Sequence, residues 1–154
     1  MGKIADRLKE LNIELPQAAA PVANYVGWVR AGNLIFTAGQ IPLKDGKPVC
    51  TGKAGADVSI EEAEEAARLC AINAIAQAAA ALDGDLDRIV RVVKLTGFVN
   101  ADNDFTQHPQ VVNGASNLMV EIFGEAGRHA RSAVGSPSLP LDVTVEVEAV
   151  FEVS

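Results

Sequence analysis

Residues 143–153 alternate with a period of two. Val143, Val145, Val147, Ala149, Phe151 and Val153 are apolar, whereas Thr144, Glu146, Glu148 and Glu152 are polar. Successive side chains of a strand point to opposite faces, so this pattern predicts a strand with one face in a core and three carboxylates on the other. Ile89 to Val99 is rich in β-branched residues and predicts a second long strand. Tyr25 to Arg30 and Leu34 to Gln40 predict a hairpin turning at Ala31-Gly32-Asn33. Residues 48–51 and 130–135 predict two further short strands.

The period becomes helical over residues 60–82. Ala63, Ala67, Cys70, Ala74, Ala78 and Ala81 form a stripe of small residues, which lets a helix lie close on a sheet, and Leu69, Ile72 and Ala76 widen the buried face. Ser59 followed by Glu62 is a capping box, and further glutamates nearby suit the positive end of the helix dipole. Asp83-Gly84-Asp85 ends this helix. A second helix is expected from near Pro109 to about Ala126, with Val112, Ala115, Met119, Ile122 and Phe123 inward and Gly124 and Gly127 as its stop. Ile4, Leu8 and Leu11 give residues 3–11 a short amphipathic helix, after which Leu15, Pro16 and Pro21 break the pattern. Residues 1–21 are therefore expected to be an N-terminal extension lying on a core of residues 22–153.

The predicted order is β-β-(β)-α-β-α-β-β. Two helices on one face of a mixed sheet make a two-layer α+β domain. Nothing in the pattern supplies a third layer for the other face of the sheet. That favours an oligomer with the bare faces turned inward, with a solvated face as the alternative.

Composition narrows the functional classes. A chain of 154 residues with 49% hydrophobic and 21% charged residues reads as one globular domain. Thirteen Lys and Arg against twenty Asp and Glu give a net charge of −7, which repels phosphate backbones and argues against a nucleic-acid partner. No run of 18 apolar residues is present, so no membrane span is expected. The start, MGKIADRLKE, lacks an apolar export segment, and two cysteines are too few for a disulfide scaffold, so the expected compartment is the cytoplasm.

Phosphate loops, dinucleotide fingerprints and nucleophile elbows are missing from the sequence. His108 and His129 have no companions at ligand spacing, so no metal site is expected. His108, just before Pro109, reads as a helix cap, and His129 as a loop or strand-entry residue. Cys70 falls in the small-residue stripe and reads as buried; Cys50 lies near an edge strand with no base beside it. Arg131 opens a strand, where a planar guanidinium either forms a structural salt bridge or grips a ligand carboxylate. Glu146 is either a solvated or interface glutamate or a functional one.

Three blocks add to this reading. AGNLIFTAGQIP (Ala31 to Pro42), VVKLTGFVNADNDF (Val92 to Phe105) and RSAVGSPSLPLDVTVEVEAV (Arg131 to Val150) resemble, in order and spacing, signatures of the reactive intermediate deaminase (Rid, or YjgF-like) family. The resemblance covers residues 22–153. It implies a chorismate-mutase-like fold assembled as a homotrimer with clefts between subunits. It also implies hydrolysis of 2-aminoacrylate and related enamines or imines to 2-oxo acids plus ammonia, without cofactor or metal. Carried over by position, Arg131 would hold the substrate carboxylate and Glu146 would position or activate water. Tyr25 would be the aromatic at the cleft, Asn113 a polar contact, and Gly32 and Ala133 would supply backbone. Ala133 stands where deaminase members often carry Cys. The competing expectations are a small-carboxylate sensor of the same fold, an endoribonuclease and a purely structural oligomer.

Overall fold

The computed structural model describes residues 2–154. Three α-helices, α1 (Lys3–Glu10), α2 (Ile60–Ala81) and α3 (His108–Phe123), accompany seven strands among the described residues. The strands are β1 (Trp28–Ala31), β2 (Leu34–Thr37), β3 (Leu43–Lys44), β4 (Lys47–Pro48), β5 (Ile89–Asn100), β6 (Ala130–Ser136) and β7 (Val145–Val153). The main sheet runs β1-β2-β7-β5-β6, and β3-β4 is a separate small hairpin. Only β5 and β6 pair in parallel, with α3 as their crossover; the other neighbours are antiparallel. This is the mixed-sheet α+β architecture that the patterning predicts. No helix among the described residues is long and apolar enough to cross a membrane.

The period-two residues of β7 separate as expected. Val145, Val147, Ala149, Phe151 and Val153 are buried under the helices, with Ile35, Leu95 and Val99 from neighbouring strands. α2 starts where the capping box puts it: the Ser59 hydroxyl accepts from the Glu62 N–H at 3.1 Å. Its small residues Ala63, Ala67, Cys70, Ala74 and Ala78 are fully buried. Ala81, at the helix end, is only partly covered. Asn73 and Gln77 share the buried face, which apolar periodicity passes over. Asn73 Nδ2 donates to the Ile41 and Leu43 carbonyls at 3.0 and 3.2 Å, and Gln77 Nε2 to the Ala19 carbonyl at 3.0 Å. The two amides pin the connecting segments onto α2.

α3 lies against α2 at a point where Gly114 meets the Glu64 backbone carbonyl, so closely that an added Cβ would collide with it. Gly114→Ala should therefore force the helices apart and cost about 1–3 kcal/mol, read as a lower midpoint in urea or heat. α1 docks on the other flank of α3, and its Ile4 and Leu8 join the same buried cluster as the sheet. Asp87 caps α1 from outside the helix, accepting from the Lys3 and Ile4 N–H groups at 2.9 and 2.8 Å.

Several boundaries differ from expectation. The hairpin is shorter at both ends: Tyr25 precedes β1, and β2 stops at Thr37, with Gln40 rejoining the sheet through an isolated bridge to Val147. Residues 48–51 do not form one strand. Asp45 and Gly46, both at positive φ, turn β3 back onto β4, and Thr51 pairs alone with Val143. The second helix ends at Phe123 rather than near Ala126, because Gly124 adopts φ 63° and residues 124–127 tighten into a 3₁₀ turn.

The face of the sheet away from α2 and α3 has no covering layer among the described residues. Val29, Phe36 and Val134 on that face are each more than 40% exposed, alongside Glu148 and Lys94. Exposed apolar side chains on an uncovered sheet face are what a burying partner would cover.

Candidate active site

β6 is an edge strand, and register decides where its side chains go. Arg131 pairs with Leu95 and Ala133 with Gly97, both on the helix-facing side of β5. Arg131 is half-buried and points toward α3. Its Nη1 donates to Asn113 Oδ1 at 2.8 Å and to Ser116 Oγ at 3.2 Å. Ser116 Oγ in turn lies 2.9 Å from His129 Nε2, and His129 Nδ1 lies 2.6 Å from the Gly127 carbonyl oxygen. Burial lowers the His129 pKa below its usual value, the Gly127 bond opposes this, and the Arg131 charge lowers it further.

A structural salt bridge for Arg131 was one of the two expectations. Among the described residues the ion pairs are Arg7–Glu10, Arg68–Glu121 and Arg128–Glu125, and none involves Arg131. A half-buried guanidinium held on neutral oxygens is therefore available to an anion from outside the protomer.

Glu146 lies on the opposite face. It pairs with Phe98 on the uncovered side of the sheet, half-buried, its carboxylate packed against Gly39. Burial raises its pKa above the ordinary carboxylate value, and the nearby Glu148 charge adds to the rise. The sign for stability follows from this shift. A carboxyl whose folded pKa exceeds its unfolded one opposes folding when ionised, and the cost vanishes as pH falls through the raised value. Glu146→Gln should raise the thermal midpoint at pH 7, and a pH series of melts should show the gain narrowing as pH falls through the raised folded value and gone below the ordinary glutamate value of about 4.3.

The remaining expected residues scatter. Asn113 and Ala133 lie on the Arg131 side. Tyr25 is exposed ahead of β1. Gly32 sits at the tip of the β1–β2 hairpin with φ 62° and open space around it. It lies beyond the Leu34–Glu152 pair, so about six residues of strand, about 20 Å, separate it from Glu146. Gly39 is the glycine that abuts Glu146, because the Gln40–Val147 bridge brings the end of β2 there. Within one protomer, then, Arg131 and Glu146 occupy opposite faces of the sheet, and a site that uses both needs a second copy.

His108 does not cap its helix. Gln107 occupies the cap position, and His108, the first helical residue, packs edge-on against Phe105 with ring centroids 5.1 Å apart and also touches Gly135. Cys70 is fully buried, its thiol pKa raised well above normal by that burial and next by the Glu146 charge, so it is no nucleophile at neutral pH. Ser116 and His129 were missed. Two sequence signals point to them: His129 lies two residues before Arg131, just ahead of β6, and Asn113 and Ser116 are three apart on a helix. A hollow of about 1410 Å³ lies elsewhere, between the segment after α1, the β3–β4 hairpin and the first half of α2, and none of the expected site residues lines it.

Comparison with known proteins places this geometry. A family profile described as "YjgF/chorismate_mutase-like, putative endoribonuclease" matches residues 5–153. Protein TCP17 of Trypanosoma cruzi is 47% identical over 99% of this chain and 96% of its own length. The 2-iminobutanoate/2-iminopropanoate deaminase of Escherichia coli K12 is 36% identical, covering 90% of this chain and 94% of its own. Among solved structures, Atu1372 of Agrobacterium tumefaciens, of unknown function, superimposes with a TM-score of 0.92 at 49% identity over 99% of this chain and 93% of its own. E. coli TdcF, solved with bound serine, gives a TM-score of 0.64 at 25% identity over 90% and 94% of the two chains. A profile match spanning almost the whole sequence, on the sheet order described above, means that this chain belongs to the YjgF/chorismate-mutase-like family.

Proposed function

We propose that the protein is a cofactor-independent hydrolase of short 2-imino acids and their enamine tautomers, working in clefts between copies of a homotrimer. The observation that carries this reading is the half-buried Arg131 guanidinium, held on neutral side chains and without a carboxylate partner among the described residues. A small monocarboxylate is the ligand that matches its planar fork. The deaminase name of one relative and the serine bound in another, each carried by a protein of this fold, support the same ligand class.

The reaction is R–C(=NH)–COO⁻ + H₂O → R–C(=O)–COO⁻ + NH₃. The imine carbon is already electrophilic, so no protein nucleophile is needed. Arg131 of one copy holds the carboxylate and so fixes C2. Glu146 of a neighbouring copy faces that carbon and takes a proton from the attacking water. The carboxyl returns that proton to the nitrogen, giving the tetrahedral carbinolamine R–C(OH)(NH₂)–COO⁻. The carboxylate then takes the hydroxyl proton and passes it to the amino group, and ammonia leaves as the C=O bond forms. A carboxyl with a raised pKa suits both steps. Positioning supplies much of the remaining rate.

The ribonuclease named in the family description is the weaker reading, because a net charge of −7 opposes binding of a polyanion. The test generates a 2-imino acid in situ, for example with an amino-acid oxidase and peroxide removal, and follows ammonia and 2-oxo acid with and without the protein. Accelerated release supports the reading. Release at the uncatalysed rate, or salt-sensitive cleavage of RNA in its place, overturns it.

A further inference from the structure

We propose that Ser116 and His129 form a positioning pair that sets the guanidinium of Arg131 for a side-on grip on the substrate carboxylate. The inference rests on the reading of Arg131 given above and extends it to two residues that do not touch substrate.

The hydrogens in this chain of contacts can be assigned from chemistry. The Gly127 carbonyl can only accept, so His129 carries its proton on Nδ1 and donates it there, 2.6 Å away. The other ring nitrogen, Nε2, then presents a lone pair. Ser116, 2.9 Å from it, donates its hydroxyl hydrogen to that lone pair. The serine oxygen is thereby turned so that its own lone pairs face Arg131, and it accepts from Nη1 at 3.2 Å. Asn113 Oδ1 accepts from Nη1 at 2.8 Å. Nη1 has two hydrogens, and both are used.

The consequence is directional. With Nη1 saturated, the donors left to an incoming carboxylate are Nε–H and one hydrogen of Nη2, which lie along one edge of the plane and match the two oxygens of a carboxylate. Without the pair the serine hydroxyl would be a free rotor, and the guanidinium could turn about its last torsions and present either edge.

The anchor is firm. Gly127 is buried at the close of the 3₁₀ turn that follows α3, packed so tightly on the Met119 carbonyl that no Cβ could be added. The chain of contacts therefore runs from fixed backbone through His129 and Ser116 to the guanidinium. It uses two elements, α3 and the approach to β6, so the orientation of Arg131 reports how the crossover helix sits on the edge strand.

The test uses the full-length protein, with pyruvate as the probe and the resolved side-chain N–H signals of Arg131 as a second readout. Ser116→Ala should weaken pyruvate binding about tenfold, the loss expected for one hydrogen bond to a charged group. Ser116→Thr keeps the hydroxyl and should restore affinity to within about twofold. His129→Leu should weaken binding about fivefold, and His129→Gln, which keeps an acceptor near the Nε2 position, should recover most of it. The Arg131 Nη signals should be slowly exchanging and distinct in the parent and in the two restoring variants, and averaged in Ser116→Ala and His129→Leu. Loss of folding would lower the thermal midpoint and is read separately. If both truncations bind pyruvate as the parent does while Arg131→Ala does not bind, the positioning role is wrong and the reading of Arg131 stands. If the parent binds no pyruvate, the reading of Arg131 is wrong, and the Arg131 signals still decide whether the pair orders the side chain.

Discussion

Arg131→Ala is expected to lower kcat/KM for hydrolysis of a freshly generated short 2-imino acid by about three orders of magnitude. A hydrogen bond to a charged group contributes about 1.5–3 kcal/mol, and a fork-to-carboxylate contact makes two of them. Roughly 4 kcal/mol of lost transition-state binding corresponds to about a thousandfold in rate. The loss should appear in KM and kcat together, because the same contact binds the substrate and aims C2 at the water. Arg131→Lys keeps the charge but not the fork and should recover only part of the rate. The fold should survive. Arg131 forms no ion pair among the described residues, and its removal strips one partner each from Asn113 and Ser116 on a half-buried surface. A variant that melts like the parent and still releases 2-oxo acid at the parental rate would end the assignment.

The second large effect concerns assembly. Phe36 lies on the uncovered sheet face, on the strand next to the β1 edge, paired with Val29 on one side and Val150 on the other. Phe36→Asp leaves an isolated protomer with an exposed carboxylate and little reason to unfold. In an assembly that buries this face, each copy would instead bury a charge at a cost of several kcal/mol. The expected result is a monomer by light scattering, near-native circular dichroism and activity down by at least about a hundredfold. The reason is geometric, since Arg131 and Glu146 stand on opposite faces of one sheet and no single copy can bring them to one substrate. A Phe36→Asp protein that remains trimeric, or a monomer with full activity, would contradict this.

The fold was largely legible because strong periodicities drive it. The alternation of 143–153 specified a strand and its buried face, although β7 begins only at Val145 and Thr144 is buried, and Ser59 with Glu62 placed the start of α2. The errors fall where tertiary contacts outvote local pattern. Tyr25 and Val26 look like strand, yet the chain joins the sheet only at Trp28, where β2 provides a partner. Residues 48–51 look like one strand, yet the positive-φ turn at Asp45 and Gly46 pairs Lys47 and Pro48 back onto Leu43 and Lys44 and leaves Thr51 to a lone bridge.

The site was half legible. Arg131, Asn113 and Glu146 stood out by chemistry and resemblance, but the face each side chain occupies depends on register, which local sequence does not fix when β6 pairs in parallel through a long crossover. The same dependence sets Gly39 beside Glu146 and leaves Gly32 at the hairpin tip with open space around it. Ser116 and His129 were passed over because neither is unusual alone. Their meaning comes from the packing of α3 on the edge strand, which brings residues 13 apart in sequence to 2.9 Å.

The central claim is that each working site draws Arg131 from one copy and Glu146 from another, and a mixing experiment tests it directly. Arg131→Ala and Glu146→Gln chains are purified separately, each nearly inactive, then dissociated, mixed one to one and reassembled. In a closed ring of head-to-tail interfaces, random mixing gives an intact Arg131 facing an intact Glu146 at about one site in four. Recovery of about a quarter of the parental activity, absent when either variant is reassembled alone, is the predicted result. A mixture no more active than the sum of its parts, with exchange of chains verified by mass, would contradict the shared site.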